Sequence, residues 1–371
     1  MEKLKLTTIL GTRPEIIRLS AVIKLAEQVF DHTLVHTGQN YDYTLNQIFF
    51  EDLNLKEPDY YLDAVGSDLG ETIGNIIAKS YKLLSETMPD AVLILGDTNS
   101  ALSAISAKRL KIPVFHMEAG NRCFDENLPE ELNRRIVDHI SDINLCYSEQ
   151  ARRNLLAEGL KREYTFVTGS PMREVLEQRR ESDVLSRLEL EPYKYILLSV
   201  HREENIDIEH NFHELIGAVN GLVQHYNMPV LYSVHPRSQK AIDERNVKFN
   251  DKVRTHEPFG FSDYIELQRN AFCVVSDSGT LTEESAVLEF PAVLARTSTE
   301  RQEGVDRGGI VIGGIGKTSI LQAVEMATTL KDKPRAAVLD YADSNISVKV
   351  CEIIQGYTDI VNRMIWRKPG K

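Results

Sequence analysis

The sequence predicts an α/β protein of two Rossmann-like domains, each a doubly wound parallel sheet, facing across a cleft. Three observations predict it. Short apolar runs alternate with amphipathic segments along the whole chain, the rhythm of strand–helix–strand units whose helices cover both faces of a parallel sheet. The apolar runs are unalternating and bounded by turn residues, as strands buried on both faces must be. One charge-rich segment without strand signals, Met172–Lys194, divides the alternation in two. At 371 residues the chain is long enough for two separate cores.

In the first half, KLTTIL, HTLVHT, AVLIL, PVFHM, INLCY and YTFVT are predicted strands. Helices are predicted between them, over segments such as EIIRLSAVIKLAEQ, ETIGNIIAKSYKLLSE and NSALSAISAKRL. The second half repeats the pattern with YILLSV, MPVLYSV, VRTHE, FCVVS, PAVLA and GGIVIGG. The amphipathic tail Ser347–Trp366 reads as a helix that crosses back to the first domain. The resulting organisation is a first domain over 1–171, a second over 172–355, and a C-terminal helical segment, 356–371, packing on the first.

Composition narrows the function. Hydrophobic content of 42% and charged content of 26% are those of an ordinary globular protein. The net charge of -12 argues against a nucleic-acid partner, although a local group of arginines still suits a phosphorylated small molecule. Cys123, Cys146, Cys273 and Cys351 form no CxxC pair and are expected to be reduced. No run approaches the roughly 18 apolar residues of a membrane span. MEKLKL leads straight into the first strand, so a soluble, cytoplasmic protein is expected.

The richest stretch runs from Ala91 to Arg135. AVLIL is followed by Asp97, PVFHM by Glu118, and Glu130 and Glu131 follow Pro129 at a predicted helix start. Carboxyl ends of parallel strands are where ligands bind. Several acids converging there repel one another and lose hydration, which favours an acid/base site over a purely structural network. GTRPEIIR, after the first strand, places Gly11 in a tight turn and Arg13 and Arg18 near a helix start. It suits a phosphate or, equally, a capped helix with solvated arginines.

SDSGTLTEES in the second half is a further anion-type loop. Ser278, Gly279 and Thr280 offer backbone and hydroxyl donors, and Glu284 one turn on suits a ribose. The alternative is a plain Ser/Thr-capped helix. His201 in HREEN and His235 in HPR each follow a strand and neighbour an arginine, Arg202 and Arg237, a pattern suited to phosphate and acid/base work. Arg301, in RTSTERQEG, is a candidate diphosphate partner, against the reading of a solvated charged loop. No G-x-G-x-x-G is present, so no tightly bound dinucleotide is expected, and GGIVIGGIGKT has Val311 where a P-loop needs glycine. His116-Met117-Glu118 has an H-x-E spacing, but the PCxxC partner is missing; no metal and no cofactor are expected.

GTRPE, LGDTNS, HMEAGNR with PEELNRR, GSPM, HREEN, HP, SDSG with EE, and TSTERQE occur in order across nearly the whole chain. Together they resemble the non-hydrolysing UDP-N-acetylglucosamine 2-epimerases, a family with a GT-B fold. The resemblance implies acid/base roles for Asp97, Glu118, Glu130 and His201. It implies UDP contacts at Arg13, Arg18, Ser278, Gly279, Thr280, Glu284 and Arg301, with Phe259 and Tyr264 around the uracil. A homodimer acting on a UDP-linked N-acetylhexosamine is the implied assembly. The sequence departs from the family where GLRTGDLYSPWPEE is shortened to GNRCFDENLPEE, where Thr280 replaces the second glycine of DSGG, and where Gln302 replaces the proline of TERPE. The short loop resembles the branch that epimerises UDP-2-acetamido-2,6-dideoxy-L-talose to UDP-N-acetyl-L-fucosamine for capsule or O-antigen synthesis. GQNYDYTLN also differs from the usual lining of the family's second, regulatory UDP-GlcNAc site. The competing functions are a UDP-N-acetylglucosamine epimerase, a hydrolysing epimerase, a GT-B glycosyltransferase and a non-catalytic UDP-sugar sensor.

Overall fold

The computed structural model describes residues 2–38, 47–333 and 336–368. The first sheet contains β1 (Lys5–Leu10), β2 (Asp31–His36), β3 (Tyr60–Tyr61), β4 (Ala91–Leu95), β5 (Val114–Met117), β6 (Ile143–Cys146) and β7 (Thr165–Val167). Their order is β3-β2-β1-β4-β5-β6-β7. The second sheet contains β8 (Ile196–Ser199), β9 (Val230–Ser233), β10 (Val253–His256), β11 (Cys273–Ser276), β12 (Ala292–Leu294) and β13 (Val311–Ile312), in the order β10-β9-β8-β11-β12-β13. Every pairing is parallel. Each sheet therefore reverses its winding once, between β1 and β4 in the first and between β8 and β11 in the second. Chain leaves the two central strands toward opposite faces at such a point, and a crevice opens outside their carboxyl ends.

The uninterrupted apolar strands follow from burial on both faces. Ile196, Leu198, Val230, Tyr232, Cys273 and Val275 enter one core of the second unit. Their neighbours Tyr195, Leu197, Leu231 and Val274 enter another on the opposite side of the sheet. Successive strand side chains point to opposite faces, so both sets must be apolar, each side chain contributing about 1.5–3 kcal/mol. The sequence gives no strand signal for β3. It is a two-residue edge strand whose Tyr60 and Tyr61 are 44% and 42% exposed, so it carries no buried pattern.

The chain divides into one unit of Met1–Gln178 with Leu339–Lys371 and another of Arg179–Val338. These bounds differ from 1–171 and 172–355. Met172, Val175 and Leu176 are buried on the helix Met172–Glu177, which belongs to the first unit. Val184 and Leu190, later in the same charged segment, enter the core of the second. The last helix runs Ile346–Met364, starting well before 356, and Glu174 accepts the Ser347 backbone N–H at 2.9 Å. All four cysteines are free thiols. Among the described residues no helix is long and apolar enough to cross a membrane.

Two histidines of β2 make the first unit sensitive to acid. Burial lowers the pKa of His36 to about 4; burial and the nearby Lys56 charge do the same to His32. A group whose folded pKa lies below its unfolded value contributes stability above the unfolded pKa, near 6.5, which is lost as pH falls toward 4. For the buried His36 the loss is about 3 kcal/mol. Urea midpoints are expected to fall between pH 6.5 and 4, and less steeply in His36→Asn; equal slopes for the two proteins would clear His36 of this role.

Candidate functional site

The crevice of the first unit is lined by the turns after β1 and β4, with β5 alongside. The helix Arg13–Val29 starts after Thr12, with Pro14 in its first turn. Glu15, three residues beyond the cap, is buried and braces this corner. Its carboxylate accepts from the Gly11 N–H at 3.1 Å, the Thr12 hydroxyl at 2.8 Å, and the Ser100 hydroxyl in the turn after β4. Burial raises its pKa, and these hydrogen bonds oppose the rise. Arg13 lies over the Phe49 ring at 5.6 Å. Arg18 reaches across to form a buried ion pair with Glu118.

Glu118 directly follows β5 at a φ of +64°, a left-handed conformation that few non-glycine residues adopt. Such strain persists when surrounding contacts over-determine it, and it gathers at functional sites. Arg18 and the Asn121 amide, at 3.4 Å, hold the carboxylate. Asp97 also leaves its sheet edge into a guanidinium: Arg134 donates to Oδ2 from Nε at 2.7 Å and lies at 2.6 Å through Nη2. Asn133, on the same helix Pro129–Ile140, donates to the Asp97 carbonyl at 2.9 Å.

Glu130 and Glu131 part company. Glu131 is buried, pairs with Arg134 at 2.9 Å and accepts the backbone N–H groups of Cys123 at 3.1 Å and Phe124 at 3.3 Å. It ties down the shortened loop. Glu130 is half-buried, and no hydrogen bond engages its carboxylate among the described residues.

Beneath this edge runs a buried polar chain. His116 contacts the Gly96 carbonyl through Nε2 at 2.8 Å and Asp138 through Nδ1 at 2.9 Å. Asp138 accepts from Arg122 at 2.7 Å, and Arg122 pairs with Glu158 at 2.7 Å. Nε2 of the H-x-E histidine is thus committed to the Gly96 carbonyl, Nδ1 lies against Asp138, and the glutamate turns to Arg18. Among the described residues no three His, Cys, Asp or Glu side chains gather as metal ligands would. Gly120 must be glycine: its φ is +84°, and a Cβ there would overlap the Ala151 carbonyl oxygen.

In the second unit the crevice lies between β8 and β11, and both turns carry candidate residues. His201 and Asp277 face each other at 3.1 Å, and the His201 and His235 rings lie 5.6 Å apart. His235 caps the helix Pro236–Glu244 by accepting the Arg237 N–H. The Arg237 side chain turns to the exposed Glu203 at 2.5 Å. Ser278, Gly279 and Thr280 are half-buried at the start of the helix Leu281–Leu288. Thr280, at the cap position, makes no side-chain cap hydrogen bond. The Gly279 and Thr280 N–H groups enter no hydrogen bond among the described residues.

A Cβ on Gly279 would overlap the Glu300 carboxylate and begin 3.8 Å from Arg301 Nη1, so the loop sits directly on the Arg301 cluster. Arg296, Glu300, Arg301 and Glu303 are all buried, unlike a solvated loop. Arg301 pairs with Glu283 at 2.6 Å and Glu300 at 3.3 Å. Glu284 accepts from Gln268 at 2.6 Å. Phe259 is buried, stacked on His256 with centroids 4.0 Å apart, and Tyr264 packs on the same core. In the P-loop near miss, the Lys317 N–H is taken by the Glu214 carboxylate at 2.8 Å, where a phosphate would otherwise bind. Residues 39–46 of GQNYDYTLN lie outside the described residues.

Sequence reasoning missed the groups that hold the candidates: Glu15, Arg122, Arg134, Asp138, Asn205 and Asp277. Only Glu15 had a local signal, the Thr-x-x-Glu capping spacing.

An open donor loop at one sheet's switch point, and carboxylates with arginines at the other's, define an enzyme of the nucleotide-sugar class. A family model described as UDP-N-acetylglucosamine 2-epimerase matches residues 24–355. The chain belongs to that family and is an isomerase. The structure of the UDP-N-acetylglucosamine 2-epimerase from Rickettsia bellii superposes with a TM-score of 0.93 at 45% identity, covering 99% of this chain and all of that one. The Methanocaldococcus jannaschii enzyme, solved in complex with UDP-GlcNAc and UDP, gives a TM-score of 0.90 at 34% identity, covering 95% of this chain and 100% of that one. The UDP-2,3-diacetamido-2,3-dideoxy-D-glucuronate 2-epimerase of Pseudomonas aeruginosa is 33% identical over 340 residues, 89% of this chain and 94% of that protein.

Proposed function

We propose that the protein inverts C2 of a UDP-linked N-acetylhexosamine by eliminating UDP and adding it back. No carbonyl acidifies the C2 hydrogen. A base removes it as a proton while the C1–O bond breaks and UDP leaves with the bonding pair, forming a glycal. A proton then adds to C2 from the other face, and UDP re-forms the bond to C1. This needs acid/base groups on both faces and cationic donors at the departing diphosphate. Asp97, Glu118 and Glu130 serve the proton transfers. His201, Arg13, Arg18 and Arg301, with the donors of Ser278, Gly279 and Thr280, hold the UDP, and Glu284 the ribose. The observation that carries the reading is Glu118, a buried carboxylate kept in a strained conformation on Arg18 at the sheet edge. Turnover in D2O tests it: epimerisation places deuterium at C2, whereas glycosyl transfer or simple binding leaves C2 unlabelled.

The preferred sugar in this reading is the 6-deoxy ring of UDP-2-acetamido-2,6-dideoxy-L-talose. Glu131 pins the short loop so that Phe124, at a φ of +56°, is 62% exposed. An apolar ring there favours a methyl over a hydroxymethyl group. Such a contact discriminates by only about 1–3 kcal/mol, so slower turnover of the hydroxylated sugars persists. The second reading, UDP-N-acetylglucosamine to UDP-N-acetylmannosamine, is favoured by the names of the relatives. A higher kcat/KM for the deoxytalose, assayed beside both common sugars, is expected; equal or better use of those two would select the second reading.

A further inference from the structure

Asp277 lies wholly buried just beyond β11, and its two oxygens have separate partners. Oδ2 accepts the backbone N–H groups of His201 at 2.9 Å and Arg202 at 2.8 Å, and the Asn205 amide at 2.9 Å. Oδ1 faces His201 Nδ1 at 3.1 Å. Among the described residues, Asp277 is the carboxylate within ion-pair distance of this ring. Arg202 and Arg237 are turned to Glu204 and Glu203. Burial opposes ionisation of Asp277, but the charge and hydrogen bond of His201, with the Arg202 and Asn205 donors, outweigh it and lower its pKa to about 2. An ionised carboxylate only accepts, so the imidazole must present a proton on Nδ1.

We propose that Asp277 is a positioning residue for His201: it fixes the Nδ1–H tautomer and leaves Nε2 to face the ligand. The proposal rests on the reading of His201 as a partner of the departing UDP. With Nδ1–H held on Asp277, Nε2 is the nitrogen that takes a proton from solvent and donates it in a hydrogen bond to a diphosphate oxygen as the C1–O bond breaks. The backbone bonds from His201 and Arg202 to the same carboxylate hold the turn after β8, so ring orientation and loop position are set together.

Asp277→Asn gives a determinate outcome. The three donors require an acceptor at the Oδ2 position, so the amide oxygen sits there and the amide NH2 faces Nδ1. An NH2 donates, so the neutral ring must move its proton to Nε2. Histidine-selective 15N NMR of the whole protein, with His201 assigned by comparison with His201→Gln, reads this directly. The neutral wild-type ring is expected to carry its proton on Nδ1 and the Asp277→Asn ring on Nε2. The variant's kcat is expected to fall by about 10- to 10²-fold with KM little changed. A wild-type proton on Nε2, or a full-rate Asp277→Asn enzyme, overturns the proposal. The wild-type spectrum needs no variant and decides the tautomer even if Asp277→Asn fails to fold. Loss of the functional reading would appear separately, as wild-type protein that places no deuterium at C2.

Discussion

Replacing Glu118 by glutamine is expected to lower epimerase turnover by about 10²- to 10⁴-fold while leaving UDP affinity nearly unchanged. Glutamine keeps the size of the side chain, and its one amide oxygen can still accept from Arg18, while the weaker 3.4 Å contact from Asn121 is given up. It cannot take a proton from C2. The left-handed backbone at residue 118 is set by its surroundings and persists in the variant, so the fold survives. Steady-state rates, with UDP affinity by calorimetry on the same preparations, separate the two quantities. Turnover within a factor of two of the parent would remove Glu118 from the proton transfers.

The largest effect on stability is expected from Arg122→Met. The Arg122 guanidinium is wholly buried, donates to Asp138 and to the Asn121 carbonyl at 2.7 Å each, and pairs with Glu158. Burial works against its charge, but Glu158 and Asp138 outweigh that and raise its pKa. Methionine fills much of the space and leaves Asp138 a buried charge without its guanidinium. Breaking a buried pair from one side costs about 3–5 kcal/mol, a fall in Tm of roughly 6–20 °C. Adding Asp138→Asn should recover part of the loss, because the orphaned charge is then gone. A single variant melting with the parent would mean that the pair contributes no net stability.

These two residues mark where sequence reading succeeds and where it stops. Glu118 was legible because a buried strand must end at a turn, and a carboxylate there lies at the sheet's carboxyl edge whatever the rest of the chain does. Arg122 was not. It stands in a loop of ordinary composition, and its partners Asp138 and Glu158 lie 16 and 36 residues away. The same holds for Glu130 and Glu131, identical neighbours at one helix start. About 100° of helical rotation sends Glu131 inward to the loop and leaves Glu130 at the surface. No local pattern distinguishes them. The charged run from Met172 to Lys194 does contain the boundary between the units, after Gln178, but nothing in its charge pattern marks the exact place. Its few apolar residues, Met172, Val175, Leu176, Val184 and Leu190, decide which unit each half joins.

Periodicity and turn chemistry are properties of a few consecutive residues, and they sufficed for the strands of both sheets except the exposed edge strand β3. The ordered motifs sufficed for the family, since most of them mark turns at the carboxyl ends of strands. The ionic pairing came only with the tertiary structure. Arg18 meets Glu118 across 100 residues, Arg134 meets Asp97 across 37, and the Asp277 carboxylate takes the His201 N–H across 76. A charge's role depends on what lies within a few ångströms of it after folding, because Coulomb and hydrogen-bond energies in a buried site are set by distance through space and not along the chain.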